Sequence, residues 1–432
     1  MERGKAEPLM GLCLLYGTKG EFERAIEMGE AALQETEKVQ DLWLSSLITI
    51  AMGISAVHNQ KFDQACVYLE TAEKMSAECH DDYGTMLTYF WQAHVFYLNQ
   101  DEEDFEQKMK LFLKQARLGS YEFIFHKRTI FGPRDLQVFV PLLIEAQRKN
   151  ISTSYANKIL QDMGFTDLES HPGYTLRVEA LGKFRVWLGE KEVEEKDWQR
   201  GKAKELLQLF ITQLHHMFPK EEVFQKLMYS QDEKGATRDF KVALNALHSA
   251  LEPNRKARAT PFFVIRNGTA YGVNPGASVE LDTAQFEEWV HLGLEERDSD
   301  QAIMCLERGL QIYKGDFLPE RPYDDWCLNE RERLLVLFLR GAEKIAQAYV
   351  GKQEFDKAIY WCQRIIEKDR TWEEAYRLLM FCYYRKNNRP FAMKWYKKCC
   401  EILDEELGVS PLEPTRHMYE MILEAEEHTN RI

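Results

Sequence analysis

Three stretches of this chain repeat one another: GEFERAIEMGEAAL (20–33), QKFDQACVYLETAE (60–73) and QEFDKAIYWCQRII (353–366). In each, a Phe is followed three residues later by an Ala: Phe22 and Ala25, Phe62 and Ala65, Phe355 and Ala358. Apolar residues at helical spacing with a small residue at one fixed place call for paired helices. The Ala lets the partner helix approach, and the Phe fills the gap beside it. A single hairpin of this kind cannot bury its apolar face alone, so the units must stack.

The first two stretches lie 40 residues apart, a helix-length segment (41–58) precedes the second, and a weaker pair covers about 83–117. That period predicts a tetratricopeptide-like solenoid over 1–120. A helical connector follows over 121–172, with GPRDLQVFVPLLIEAQRK and SYANKILQDMGF as its helices and HPGYT (171–175) as Pro/Gly punctuation that reads as a linker. The concave side of such repeats is the expected place for a protein or small-ligand signal.

After residue 175 the period changes. YTLRVEALGKFRVWLGEKEV alternates apolar and polar residues, with Gly182 and Gly189 at turns, and predicts short antiparallel strands. Helical patterns at 202–216, 220–229 and 235–253 come next, and then PFFVIRNGTAYGVNP, a hairpin around Asn267 and Gly268. Strands, three helices and a hairpin in that order make a winged helix-turn-helix over 173–276. Its third helix offers a polar face to the major groove. From 277 to 432 the pattern is helical again, with pairs at 282–295/299–313, 325–350/354–368 and 371–386/389–406 and a last helix near 414–427. Trp326, Phe355, Trp361, Trp372, Tyr376 and Trp395 fall at core spacing. The fold class is therefore mainly α with a small α+β module between two helical-repeat regions.

The third helix, GATRDFKVALNALHSALEP, has two opposed stripes. Phe240, Leu244, Leu247 and Leu251 form one; Arg238, Lys241, Asn245 and His248 form the other. Arg and Lys suit phosphates and guanine edges, and Asn can make two hydrogen bonds to adenine. Charge agrees with this reading. Residues 173–276 carry 17 Lys and Arg against 13 Asp and Glu, +4, while the rest of the chain has 39 against 57, or −18. Arg266 and Asn267 at the wing tip are expected on the nucleic-acid backbone or minor groove. Arg200, Lys202, Lys204 and Lys220 near helix starts are expected on phosphates.

Enzymatic readings find no support. The acids of EKEVEEKDW (190–198) lack partners, His215-His216 is a doublet without a metal-ligand companion, and no nucleophile motif is present. No catalytic residue, metal or cofactor is expected. Nine scattered cysteines without a C-x-x-C pair read as reduced, and no run of 18 apolar residues occurs, which points to a cytoplasmic chain away from the membrane.

Further motifs narrow the reading. VELDTAQFEEWV (279–290), GDFLPERPYDDWCLNERERL (315–334) and the segment from TWEEAYRLLM to ELGVSPLEPT (371–415) look like a bacterial transcriptional activator domain. Following an OmpR/PhoB-type winged helix, the domain makes residues 173–427 resemble SARP-type transcriptional regulators. The resemblance implies double-stranded DNA as partner, four strands leading into the winged helix, and an activator domain that packs on it and aids dimerisation. It also implies a contact with RNA polymerase through the loop MYSQDEKGA (228–236), where Gln231, Asp232 and Glu233 are the candidates. Dimers would read half-sites about one helical turn apart. Where family members often carry arginines, this chain has His248 and Ser249, so sequence preference does not transfer; Arg255, Lys256 and Arg258 stand just beyond. Large family members place an NTPase module ahead of the repeats. No phosphate-binding loop is present here and the chain opens almost at once in repeat, so it is expected to be a C-terminal piece of a longer regulator. The competing class is a repeat scaffold whose winged helix binds no DNA.

Overall fold

The computed structural model describes residues 3–166, 168–227, 233–256 and 258–429. It consists of two compact units. One comprises Met1–Thr175, Glu252–Phe263 and Asn274–Ser278; the other comprises Leu176–Leu251, Val264–Val273 and Val279–Ile432. The chain thus passes between them after Thr175, Leu251, Phe263, Val273 and Ser278.

The first unit begins with six helices: α1 (Arg3–Thr18), α2 (Phe22–Glu37), α3 (Leu42–His58), α4 (Phe62–Glu78), α5 (Asp82–Asn99) and α6 (Glu102–Leu118). One left-handed residue ends each of them, at 20-residue intervals: Gly20, Gln40, Gln60, His80, Gln100 and Ser120, with φ between 52° and 81°. The next amide then reaches back five residues, as in Lys61 N to Ala56 O (2.9 Å) and Asp81 N to Ser76 O (2.8 Å). This closure satisfies carbonyls that the helix end would otherwise leave bare. Asp41, Asp81 and Asp101 cap the following helices by accepting the amides of Leu44, Gly84 and Asp104. The turn chemistry therefore repeats every 20 residues inside a 40-residue unit. Ala25, Ala32, Ala65 and Ala72 are fully buried where the helices meet, whereas Phe22 and Phe62 are only half-buried at their helix starts.

Helix α3 is buried along its whole length from Leu44 to Val57. Helices α1, α2, α4 and α5 pack around it. The Trp91 indole N–H donates to the Phe131 carbonyl (2.8 Å), Arg134 donates to the Thr18 hydroxyl (3.1 Å), and Phe131, Gly132 and Pro133 are buried. Residues 131–134 are thus tied to both α5 and α1. Helix α7 (Phe139–Arg148) follows, with Phe139 4.7 Å from Phe90.

Helix α8 (Thr153–Asp162) precedes the expected linker 171–175, which is packed rather than solvated. His171 lies edge-on to Phe262 (4.3 Å) and Phe165 (5.2 Å), Tyr174 stacks on Phe263 (5.6 Å), and Asp135 accepts the Thr175 amide (2.6 Å) and hydroxyl (3.0 Å). Glu252 holds the same region from the other side. Its carboxylate is buried and accepts the amides of Phe262 (2.8 Å) and Phe263 (3.0 Å), and burial raises its pKa against the lowering effect of those amides.

The second unit opens with β1 (Leu176–Glu179), β2 (Arg185–Leu188) and β3 (Lys191–Glu192). It continues through α9 (Gly201–Ile211), β4 (Phe218–Pro219), α10 (Lys220–Leu227), α11 (Glu233–Leu251) and the hairpin β5 (Val264–Asn267) and β6 (Ala270–Val273). Three strands lead in where the resemblance implied four. The fourth place is filled by β7 (Val279–Leu281), which runs parallel to β1 in a sheet ordered β3-β2-β1-β7. The hairpin joins β4 in a second sheet, β4-β6-β5. Helices α12 (Asp282–Glu295), α13 (Ser299–Ile312), α14 (Asp325–Gly351), α15 (Phe355–Lys368), α16 (Glu373–Arg385), α17 (Arg389–Leu407) and α18 (Glu413–Thr429) follow, within a residue or two of the periodic pattern. Trp361 and Tyr376 are core; Trp326, Phe355, Trp372 and Trp395 are half-buried.

The motif GDFLPERPYDDWCLNERERL is a clasp between the β1–β2 turn and the C-terminal helices. Gly182 donates its amide to Asp316 O (3.0 Å) and Leu318 N donates to Ala180 O (2.9 Å). A Cβ on Gly315 would stand 2.9 Å from the Gly182 Cα, so both positions need glycine, and Gly182 also has φ +89°. Asp282, at the start of α12, accepts the amides of Ala180 and Leu181 at 2.9 Å; burial pushes its pKa up to about 6 although these amides pull it down. Leu318 is fully buried with φ +43°, a strained conformation for a branched residue. Arg331 holds the turn by donating to the carbonyls of Phe317 (2.9 Å), Leu318 (3.1 Å) and Arg321 (2.8 Å). Arg321 in turn donates to the buried Gln208 of α9 (3.0 Å) and pairs with Glu205 (3.2 Å).

Candidate nucleic-acid interface

Helix α11 is amphipathic and rests on α9. Ala236, Phe240, Ala243, Leu247, Ala250 and Leu251 are buried, and Leu244 is partly so. Arg238, Lys241 and Asn245 are exposed on the opposite side. Lys234, which sequence reasoning did not single out, is exposed one turn earlier, so the polar stripe runs Lys234, Arg238, Lys241, Asn245 at i, i+4, i+7, i+11. The spacing to Arg238 was the available signal. Arg238 reaches its neighbour Asp239 at 3.5 Å, with four-fifths of its side chain exposed, a pairing weak enough for a phosphate to displace.

His248 corrects the expected stripe. It is buried, and its Nε2 lies 3.1 Å from the Val264 carbonyl of β5, to which it donates. Together with the edge-on contact of Phe240 and Tyr271 (4.8 Å), this ties the hairpin to α11. His248 follows Asn245 by three residues on nearly the same side of the helix, and it is covered because β5 packs against the last turns of α11. Replacing His248 with Ala leaves the buried carbonyl without its donor, at an expected cost of about 1–3 kcal/mol. Chemical denaturation of the chain measures it, and a change below a few tenths of that range would exclude the anchoring role.

The hairpin tip fits a two-residue loop. Asn267 pairs with Ala270 across it, and Gly268 takes φ +61°. Arg266 and Asn267 are exposed; Arg266 donates to Gly268 O (2.7 Å) and lies 5.8 Å from the Tyr271 ring centre, so its charge is held at the tip. The lysines at helix starts divide differently. Lys202 is drawn inward by Leu227 O (2.8 Å) and Glu205 (2.7 Å), which makes it a tie between α9 and α10 rather than the open cation expected. Lys204 pairs with Glu195 (3.0 Å), and Lys220 lies half-buried over the Phe224 ring (4.9 Å). Gln231 and Asp232 lie outside the described residues, and Glu233 is the first residue of α11. Arg255 folds back onto Ala259 O (2.8 Å) and Glu252. His216 of the doublet is edge-on to Phe218 (4.6 Å). Among the described residues no cluster of three or more His, Cys, Asp or Glu could hold a metal ion, and no helix is long and apolar enough to cross a membrane.

The sequence has no match among curated proteins. Among solved structures, the chain is similar to Mycobacterium tuberculosis EmbR in complex with a low-affinity phosphopeptide, with 17% identity over 58% of this chain and 65% of that one and a TM-score of 0.49. The TPR2AB domain of yeast Sti1 gives 11% identity over 96% and 98%, with a TM-score of 0.26. A STAND protein with a tetratricopeptide repeat sensor from Pyrococcus horikoshii gives 10% identity over 96% and 44%, with a TM-score of 0.24. Likeness at these levels assigns no function. One family match is specific: residues 281–423, from the end of β7 to α18, match the bacterial transcriptional activator domain.

Proposed function

We infer that this chain is a DNA-binding transcriptional regulator of the SARP type, an activator whose winged helix, within 173–276, reads promoter repeats. The observation that carries the reading is the exposed stripe Lys234, Arg238, Lys241, Asn245 on a helix whose opposite face is core. The Arg266–Asn267 tip of the attached hairpin and the activator-domain match in the same compact unit support it. Arg238 and Lys241 serve phosphates or guanine edges, Asn245 an adenine edge, and the wing the backbone or minor groove. RNA polymerase is the second partner, met through the loop 228–236, and the cytoplasm is the compartment. Repeat regions on either side adjust the output.

Fluorescence anisotropy with a pool of promoter-like duplexes at two salt concentrations tests this. Wild-type binding should be micromolar or tighter and fall with salt. Arg238→Ala/Lys241→Ala should weaken it by about 100-fold and flatten the salt slope by up to about two contacts. Wild-type binding that the double variant leaves unchanged moves the DNA surface elsewhere. No binding at low salt favours the interaction scaffold.

A further inference from the structure

Helices α13 and α15 border a cavity of about 410 Å³, and Tyr360 on its wall is half exposed. That volume suits a small organic molecule. Helix α15 supplies Lys357, Tyr360, Trp361 and Arg364 at i, i+3, i+4 and i+7, one face of a helix, and α13 supplies Glu307 and Gln311 one turn apart. The two ends differ in charge. At one, Glu307 accepts the Tyr349 hydroxyl of α14, and Lys357, paired with Glu354 (2.6 Å), lies 5.0 Å from the centre of the same ring. Asp356 beside them pairs with Lys386. Arg364 stands two turns further along α15, about 10 Å by helical rise. Its guanidinium lies over the rings of Phe338 (5.1 Å) and Trp361 (5.2 Å) and reaches the Tyr313 carbonyl only at 3.5 Å. Among the described residues no carboxylate pairs with it.

Aromatic rings engage a guanidinium by its π surface and leave N–H groups for an acceptor; a carboxylate matches that fork with two hydrogen bonds. Between the two ends, the Gln311 amide and the Tyr360 ring offer a polar and an apolar wall to a flat body. At the far end Glu307 keeps lone pairs for a further donor, and its charge, with that of Asp356, disfavours a second anionic group. We propose that this cavity binds a small aromatic carboxylate with a hydrogen-bond donor opposite the carboxylate. Arg364 takes the carboxylate, Tyr360 the ring and Glu307 the donor.

The site is independent of DNA reading, and its test uses no DNA. Isothermal titration calorimetry of the full chain with 4-hydroxycinnamate should give one site with a Kd of about 1 mM or tighter. The methyl ester lacks the charge, inorganic phosphate lacks the ring, and cinnamate lacks the donor; each should bind at least about tenfold more weakly. Arg364→Gln should abolish binding. Because Arg364 also packs on Phe338, a second variant leaves that packing alone: Gln311→Glu alters an exposed residue and sets a carboxylate in the cavity that competes for Arg364. It should fold as the wild type does and bind at least about tenfold more weakly. Glu307→Gln should bring 4-hydroxycinnamate and cinnamate to the same affinity. A wild type that takes up no 4-hydroxycinnamate at about 10 mM, an ester, phosphate or cinnamate bound as tightly as the hydroxy acid, or a folded Gln311→Glu that binds like the wild type would each overturn the proposal.

Discussion

Arg331→Ala should uncouple the two halves of the second unit. Four carbonyls at the clasp, of Phe317, Leu318, Arg321 and Pro322, then lose a charged donor, and the strained Leu318 turn loses what holds it at φ +43°. Hydrogen bonds to charged groups contribute about 1.5–3 kcal/mol each in favourable settings. Arg331 is partly solvated and the freed turn can relax, so a net loss of about 3 kcal/mol is the expected size. Differential scanning calorimetry should show the α/β module and the C-terminal helices melting in separate steps where the wild type melts in one. Arg331→Lys keeps the charge but offers a single point donor in place of the planar fork, and it should fall between the two. A variant that melts with wild-type stability and cooperativity would mean that the backbone pairing of 316–318 with β1 suffices. The consequence for function is indirect: α9, pinned through Gln208 and Glu205 by Arg321 of the same clasp, is the surface on which α11 lies.

Acid should destabilise the first unit through His171. Its Nδ1 accepts the Gly173 amide (2.9 Å), so the proton sits on Nε2, which has no hydrogen-bond partner among the described residues. Burial between Phe165 and Phe262 pushes its pKa down to about 3. The unfolded chain takes up this proton near pH 6.5 and the folded chain does not, so stability falls as pH drops through that value. Between pH 7.5 and pH 5 the loss is about 2 kcal/mol from this residue. Tyr174, Glu252 and Arg255 are the titratable groups nearby, and Glu252, raised by burial, works in the opposite sense. His171→Asn keeps an acceptor for the Gly173 amide without a titrating ring. The difference in urea stability between wild type and this variant should therefore shift by about 2 kcal/mol across the interval. An unchanged difference would show that His171 is protonated in the folded state. In the second unit Asp282, raised to about 6, has the reverse sign: its contribution is full below about pH 4 and fades as pH rises through 6.

The helical parts were legible because each helix records its own burial. The bounds of α12 to α18 follow the apolar period closely, and the Asn267-Gly268 signal marked the hairpin. The stripe on α11 was legible for the same reason at Arg238, Lys241 and Asn245. It failed at His248, since that residue's partner is a carbonyl 16 positions away, and at Lys202, held by a carbonyl 25 positions away. Residues 171–175 read as a linker because Pro and Gly break helices, yet a broken helix is not a solvated one. Local pattern could not disclose that Phe262 and Phe263 would pack on His171 and Tyr174.

By itself the sequence determined the helix pairs, their 40-residue repeat and the small α+β module between them. These depend on the alternation of apolar and polar side chains along a short length of chain. Only the tertiary structure decided that Phe131 and Arg134 tie back to Trp91 and Thr18, that β7 takes the fourth place in the leading sheet, and that Gly315, Leu318 and Arg331 form a clasp. Each of these joins residues far apart in the chain. Which polar groups remain for a partner is fixed only once the buried carbonyls and carboxylates of the fold have found theirs.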